Sequence, residues 1–237
     1  DVALALEESV AANRVDEEML APLGQQLGSR LGCEVSCALI PYARDAGEQA
    51  GLLATIAAHV ERGAEVHLDV THGYRHLPML ALVAARYLAR VKRAAVRELY
   101  YGALEMSEAD GARPVLRLSG LLRMLDWVGA LTCYDKDGDY GVFEQLLIDD
   151  GMPDEKARLL GRAAFHERVT HSEIARKELQ GAVSAVSRHE GALGFLFRDE
   201  LLARIDWYSR PQRFDREIAL AGAYLQRADY LRAAIYL

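Results

Sequence analysis

Across the first 120 residues, short runs of strand-like composition alternate with helical stretches of about 12 to 17 residues. No other feature of the sequence restricts the fold as much. The strand-like runs are Cys33–Ile40, Glu65–Val70 and Ala95–Tyr101, with Pro114–Leu118 as one further short candidate. Between them, Val15–Leu31 places Met19, Leu20, Leu23, Leu27 and Leu31 at helical spacing. Ala46–Val60 does the same with Leu52, Leu53, Ile56, Ala57 and Val60, and Pro78–Val91 makes a third helix. Strands separated by helices predict βαβ units, hence an α/β fold with a Rossmann-like parallel sheet. Such a domain normally opens with a strand. Asp1–Asn13 is weak as a strand, so the first strand is expected to precede Asp1, and the chain reads as cut at both ends.

From Leu121 the pattern is helical throughout. Leu121–Tyr134, Phe143–Ile148, Lys156–Val186, Leu193–Tyr208 and Arg213–Leu237 read as helices or helices with short breaks, punctuated by Pro153, Gly191 and Pro211. The expected organisation is an α/β domain over 1–120 and an all-helical domain over 121–237. Apolar residues make up 51% and charged residues 27%, which suits a packed core and excludes a disordered chain. A net charge of −7 argues against phosphate-driven DNA binding, which needs a basic face. The longest apolar run, Leu77–Ala85, is far shorter than the roughly 20 residues that cross a bilayer, and no signal peptide is seen. Cys33, Cys37 and Cys133 are odd in number and irregular in spacing, as for reduced thiols in a cytoplasmic protein.

The segment Asp69-Val-Thr-His-Gly-Tyr-Arg-His76 has the densest chemistry. It reads as a loop at the carboxyl end of a buried parallel strand, where open α/β sheets bind ligands. Gly73 permits a positive φ or a close backbone approach. Free N–H groups at the following helix start favour an anion, and Arg75 can grip phosphate bidentately. Thr71 offers a hydroxyl, His72 and His76 can donate to phosphate or a base edge, and Tyr74 can stack on a base. The competing reading is a plain turn with Asp69 and Thr71 capping the helix. Tyr100-Tyr101-Gly102 ends the next strand and makes a second candidate wall, with at most one tyrosine facing the ligand. The helix after the loop is apolar nearly all round, so it must cover something besides the sheet. A two-fold dimer is favoured, and the C-terminal helices are the alternative.

Other signals are weaker. His72 and His76 have i, i+4 spacing, but Gly73 and Pro78 disfavour a regular helix there, so no metal site is expected. Asp135, Asp137 and Asp139 resemble the start of a calcium loop, but Tyr140 and Leu146 stand where Gly and Glu are needed, which leaves a polar turn. His166 and His171 flank Arg168 on a predicted helix and read as a solvated face.

The stretch Leu68-Asp-Val-Thr-His-Gly-Tyr-Arg-His-Leu-Pro78 resembles the CRISPR-associated CARF proteins of type III systems, closest to the branch that joins a CARF domain to a helical HEPN ribonuclease domain. The resemblance extends through Ile40-Pro-Tyr-Ala-Arg-Asp45, Tyr100-Tyr-Gly-Ala103, Leu125-Asp-Trp127 and Tyr134-Asp-Lys-Asp-Gly-Asp-Tyr140. It implies a homodimer that binds a cyclic oligoadenylate across its two-fold axis and thereby activates an effector domain that degrades RNA. It maps the binding loop onto Asp69, Thr71, His72, Gly73, Tyr74 and Arg75; His76, Tyr101 and Gly102 complete the candidate set. The ligand is an activator, and no cofactor is implied. The family's Arg-x4–6-His nuclease motif has no credible counterpart here: Arg62 to His67 enters a strand, and Arg162 and His166 have only three residues between them. The catalytic residues therefore stay unknown. Two alternatives are a ring nuclease that cleaves the messenger and a nucleotide-metabolite enzyme on a Rossmann-like fold.

Overall fold

A computed structural model describes residues 8–10, 12, 14–103, 105–106 and 111–237. Most of Asp1–Asn13, where no opening strand was found in the sequence, lies outside these residues. The chain divides into two compact units, Asp1–Ser119 and Gly120–Leu237.

In the first unit, a short 3-10 turn, Glu18–Leu20, leads into helix α1, Ala21–Leu31. Gly32 ends it with φ 70°, its N–H donating to the Gly28 carbonyl. The run Cys33–Ile40, expected as a strand, is a correction: it is extended but pairs with no strand among the described residues. Val35 is half-buried between exposed Glu34 and Ser36, but Cys37, Ala38 and Leu39 are all half-buried, so the inward–outward alternation of a strand holds only over Glu34–Cys37. One side of it lies against α1, where a Cβ on Gly24 or Gly28 would come within 2.8 Å of the Val35 or Cys33 carbonyl oxygen. The Leu39 N–H donates to the Glu17 carboxylate at 3.2 Å instead of to a ladder. Alternation reports which side chains turn inward; it does not report whether a partner backbone is present.

Asp45 then caps helix α2, Ala46–Ala58, accepting the Glu48 N–H at 2.9 Å. Strand β1, Glu65–Asp69, pairs parallel with β2, Ala95–Gly102, through the crossover helix α3, Leu77–Tyr87, which continues as a π-turn over Leu88–Lys92. Strand β3, Val115–Arg117, pairs antiparallel with β2. The sheet, in the order β1-β2-β3, is therefore mixed where a parallel one was expected.

A second correction concerns β1. Val66 and Leu68 are half-buried while Glu65, His67 and Asp69 are exposed, so among the described residues it is an edge strand with one covered face and not a buried one. The core under the covered face is small: Leu52, Leu99 and Leu88 are buried, and Ala57, Leu88 and Ala94 form a cluster flanked by Ile56, Val60, Val66 and Val96.

The second unit follows α4, Ser119–Asp137, with α5 (Phe143–Asp149), α6 (Asp154–Arg168), α7 (Ser172–Ser187), α8 (Gly194–Arg204), α9 (Arg213–Gln226) and α10 (Tyr230–Ile235). The long helical run from Lys156 breaks where Thr170 adopts φ 64°. Trp127, Phe143, Leu160, Leu179, Leu201 and Leu220 are among the buried residues of one large core.

Candidate functional site

The loop that follows β1 is tied down from its base. The Val70 N–H donates to the Tyr100 carbonyl at 2.9 Å, extending the β1–β2 pairing one residue past the strand. Thr71 then turns back. Its N–H donates to Asp69 Oδ1 at 2.8 Å, and its Oγ1 accepts the Gly102 N–H at 2.7 Å. The Thr71 hydroxyl, and after it the Thr71 N–H, hold the Asp69 carboxyl below its usual range. Asp69, Thr71 and Gly102 thus form one hydrogen-bonded knot joining the carboxyl ends of two neighbouring strands. Gly102 must be glycine for it, since a Cβ there would lie 2.9 Å from Thr71 Cγ2. The helix-capping alternative is not what forms: α3 has His76 at its N-cap position and no side-chain cap.

This knot gives a direct expectation. Thr71→Val keeps the shape and the Thr71 N–H bond to Asp69, but it leaves the Gly102 N–H without its acceptor and takes the hydroxyl away from Asp69. The first unit should lose about 1–3 kcal/mol, the scale of a stranded buried polar group. A denaturant midpoint unchanged from wild type, with Thr71→Ser as the hydroxyl-retaining control, would contradict the geometry.

Beyond the knot the loop opens outward. Gly73 has φ 117°, a conformation that disfavours any side chain. His72, Tyr74 and Arg75 are exposed, Tyr74 by 47%. Arg75 has no ion-pair partner among the described residues. The start of α3 does not supply the free N–H groups expected of it. Leu77 donates to the Tyr74 carbonyl, Met79 and Leu80 donate to His76, and Pro78 has no N–H. The unpaired amides lie one turn earlier: among the described residues, the N–H groups of His72, Gly73, Arg75 and His76 donate to no protein acceptor.

His76 is turned inward, its Nε2 2.8 Å from the Tyr42 carbonyl oxygen. That bond brings in a segment the loop motif does not contain. Tyr42 and Tyr74 have ring centroids 5.9 Å apart, and Tyr74 and His76 are stacked at 5.9 Å. The Arg44 guanidinium lies 5.5 Å from the Tyr42 ring centroid, and is paired with Glu48. Tyr42 and Arg44 were visible in the sequence only as part of the flanking Ile40–Asp45 stretch. The signal for them was a second chemistry-rich turn ahead of a capped helix.

The two tyrosines of β2 separate as expected. Tyr100 stacks on His67 at 6.1 Å, and the half-buried Tyr101, paired with Leu116, points to the other face. That face is the one of Leu68 and Leu99. It adjoins a cavity of about 200 Å³ lined chiefly by Ile40, Leu52, Leu68, Val70 and Leu77, with Asp69 and His72 as its polar members.

Residues 26–105, which include the whole of this site, match the family described as CRISPR system endoribonuclease Csx1, CARF domain. The chain carries a CARF domain. A CRISPR-associated protein of Methanocaldococcus jannaschii is 26% identical over 117 residues, covering 48% of this chain and 18% of the relative. The chain therefore spans less than a fifth of that relative's length.

Outside the CARF domain the weaker signals resolve into structure. Asp135 pairs with Arg204, and Asp139 with Arg168 and the Gly141 N–H. His166 and His171 stack at 6.2 Å. Among the described residues no cluster of His, Cys, Asp or Glu is arranged to hold a metal ion, and no helix is long and apolar enough to cross a membrane. Cys33, Cys37 and Cys133 are unpaired.

Proposed function

We propose that this chain is a CRISPR type III accessory protein of antiviral defence. In this reading its CARF domain binds a cyclic oligoadenylate across a homodimer and so regulates an RNA-cleaving effector domain. One observation carries it: at the carboxyl end of a parallel strand, Arg75 and four loop amides, without protein partners among the described residues, stand beside the Tyr42–Tyr74–His76 ring cluster. Phosphates suit the first group, through a bidentate guanidinium and backbone donors. Adenine faces suit the second. A cyclic oligoadenylate presents both in a ring, and a two-fold axis would supply each in duplicate.

The exposed face of α3 and of the π-turn that continues it supports the dimer. Met79, Val83, Tyr87 and Val91 recur every four residues, and each is at least 39% exposed. An apolar stripe of that kind suits a self-complementary two-fold contact.

Calorimetry on the full chain with cyclic tetra-adenylate and cyclic hexa-adenylate at low salt tests the reading. The expected result is binding of one ring size at one ring per two chains. No heat with either ring would overturn it.

A further inference from the structure

We propose that Glu98 is the positioning residue through which occupancy of the loop reaches the helix that leaves the CARF domain. The inference rests on the ligand-binding reading of the loop and adds a route to it. Glu98 is a buried carboxylate on β2. Its Oε1 accepts two N–H groups, from Leu99 at 3.0 Å and from Ser119 at 3.0 Å. Ser119 is the first residue of α4, which continues unbroken to Asp137 and so carries the chain into the second unit. One residue earlier, the Leu118 N–H donates to the Leu99 carbonyl at 2.7 Å. The helix start is therefore pinned to β2 at Glu98 and Leu99.

The loop is pinned to the same stretch. Val70 bonds Tyr100, and Thr71 bonds Gly102. Five consecutive residues of one strand, Glu98–Gly102, thus hold the loop base at one end and the outgoing helix at the other. Chains of hydrogen bonds along a rigid element can carry coupling between two sites, and this stretch of β2 offers such a chain. A ligand gripped by Arg75 and the loop amides pulls on the Thr71 knot, hence on Gly102 and on the register of β2. The carboxylate of Glu98 lies on the backbone so moved, and Ser119 follows it. Burial raises the Glu98 carboxyl, but the bonds from Leu99 and Ser119 outweigh it and leave the group below its usual value, so it is a charged acceptor. A buried charged acceptor placed on a helix's first N–H is directional: neither partner can shift alone without stranding the other.

Hydrogen exchange on the full chain, with and without the cyclic adenylate found to bind, reads this route. In the wild type, ligand is expected to slow exchange in the Gly102 peptide and in the peptide covering Leu118–Leu122. The slowing should be about tenfold, the scale of one hydrogen bond to a charged group. Glu98→Ala is expected to keep the affinity and the effect at Gly102 and to lose the ligand-dependent effect at Leu118–Leu122. Glu98→Gln, which retains a carbonyl acceptor, should restore it. Should Glu98→Ala not fold, Ser119→Pro removes the donor at a first-turn position that tolerates proline, and the same loss is expected. A merely structural cap would speed exchange at the helix start equally with and without ligand. Binding with no change at Leu118–Leu122, or an undiminished change in Glu98→Ala, overturns the inference while leaving the ligand reading intact. No binding by the wild type overturns that reading and the inference with it.

Discussion

Arg75→Ala is expected to weaken cyclic oligoadenylate binding by more than about 100-fold. A hydrogen bond to a charged group contributes about 1.5–3 kcal/mol, and a ligand shared across a two-fold axis meets the guanidinium twice, so the loss is about 3–6 kcal/mol. Arg75 is exposed and without an ion-pair partner among the described residues, so its removal strands no protein group. The variant should therefore unfold at the wild-type denaturant midpoint. Arg75→Lys keeps the charge and loses the planar fork, and an intermediate affinity is expected. The wild-type affinity should fall steeply with added salt, and less steeply in Arg75→Ala. Calorimetry at two ionic strengths measures all of this. Wild-type affinity in Arg75→Ala would remove Arg75 from the site.

The second large effect lies in the helical unit. Glu167 on α6 is 4% exposed. Its Oε1 accepts the Tyr224 hydroxyl at 2.9 Å, and its backbone carbonyl accepts the Tyr236 hydroxyl at 2.7 Å, so the carboxyl stands where α6, α9 and the end of the chain meet. Burial pushes it up to about 7, and the hydroxyls of Tyr224 and Tyr140, the Trp207 indole and the Arg227 charge only partly offset that. In the unfolded chain the carboxyl titrates near the ordinary value of about 4.3. The folded state therefore takes up a proton between about pH 4.5 and 7. Below that window the neutral acid stabilises fully; as pH rises through 7 that contribution is lost, to a total of about 4 kcal/mol. Glu167→Gln is neutral at every pH and keeps an acceptor for Tyr224. Its denaturant stability should lack this slope, so the difference between wild type and variant should grow steadily from pH 4.5 to pH 7 and then level off. A difference independent of pH would show that Glu167 is ionised throughout.

The candidate loop was legible because its chemistry is contiguous. Asp69 to His76 follow one another directly, and a strand before and a helix after place them at the ligand-binding edge of an α/β sheet whatever the rest does. The division of labour inside the loop was not legible. From residue types, Asp69 and Thr71 look as apt for a ligand or a helix cap as Arg75 does. The Gly102 N–H, 31 positions along the chain, draws the Thr71 hydroxyl into the strand ends. Likewise residue type alone did not show that His76 Nε2 lies against the Tyr42 carbonyl, 34 residues earlier. Cys33–Ile40 has strand-like composition but pairs with no strand among the described residues, and β3 runs antiparallel to β2, a direction its composition does not carry.

What the sequence determined by itself is therefore everything set by local spacing: the α/β alternation, the helical second half, and a loop rich in phosphate- and base-binding groups. Those properties depend on side chains a few residues apart, and period and turn chemistry encode them directly. Only the tertiary structure decided which backbone groups are left over. Whether the amides of His72, Gly73, Arg75 and His76 are unpaired, and whether Glu98 reaches the N–H of Ser119, depends on which distant donors and acceptors arrive first. A hydrogen bond uses up both of its partners, so the groups available to a ligand are known only once every long-range pairing has been made.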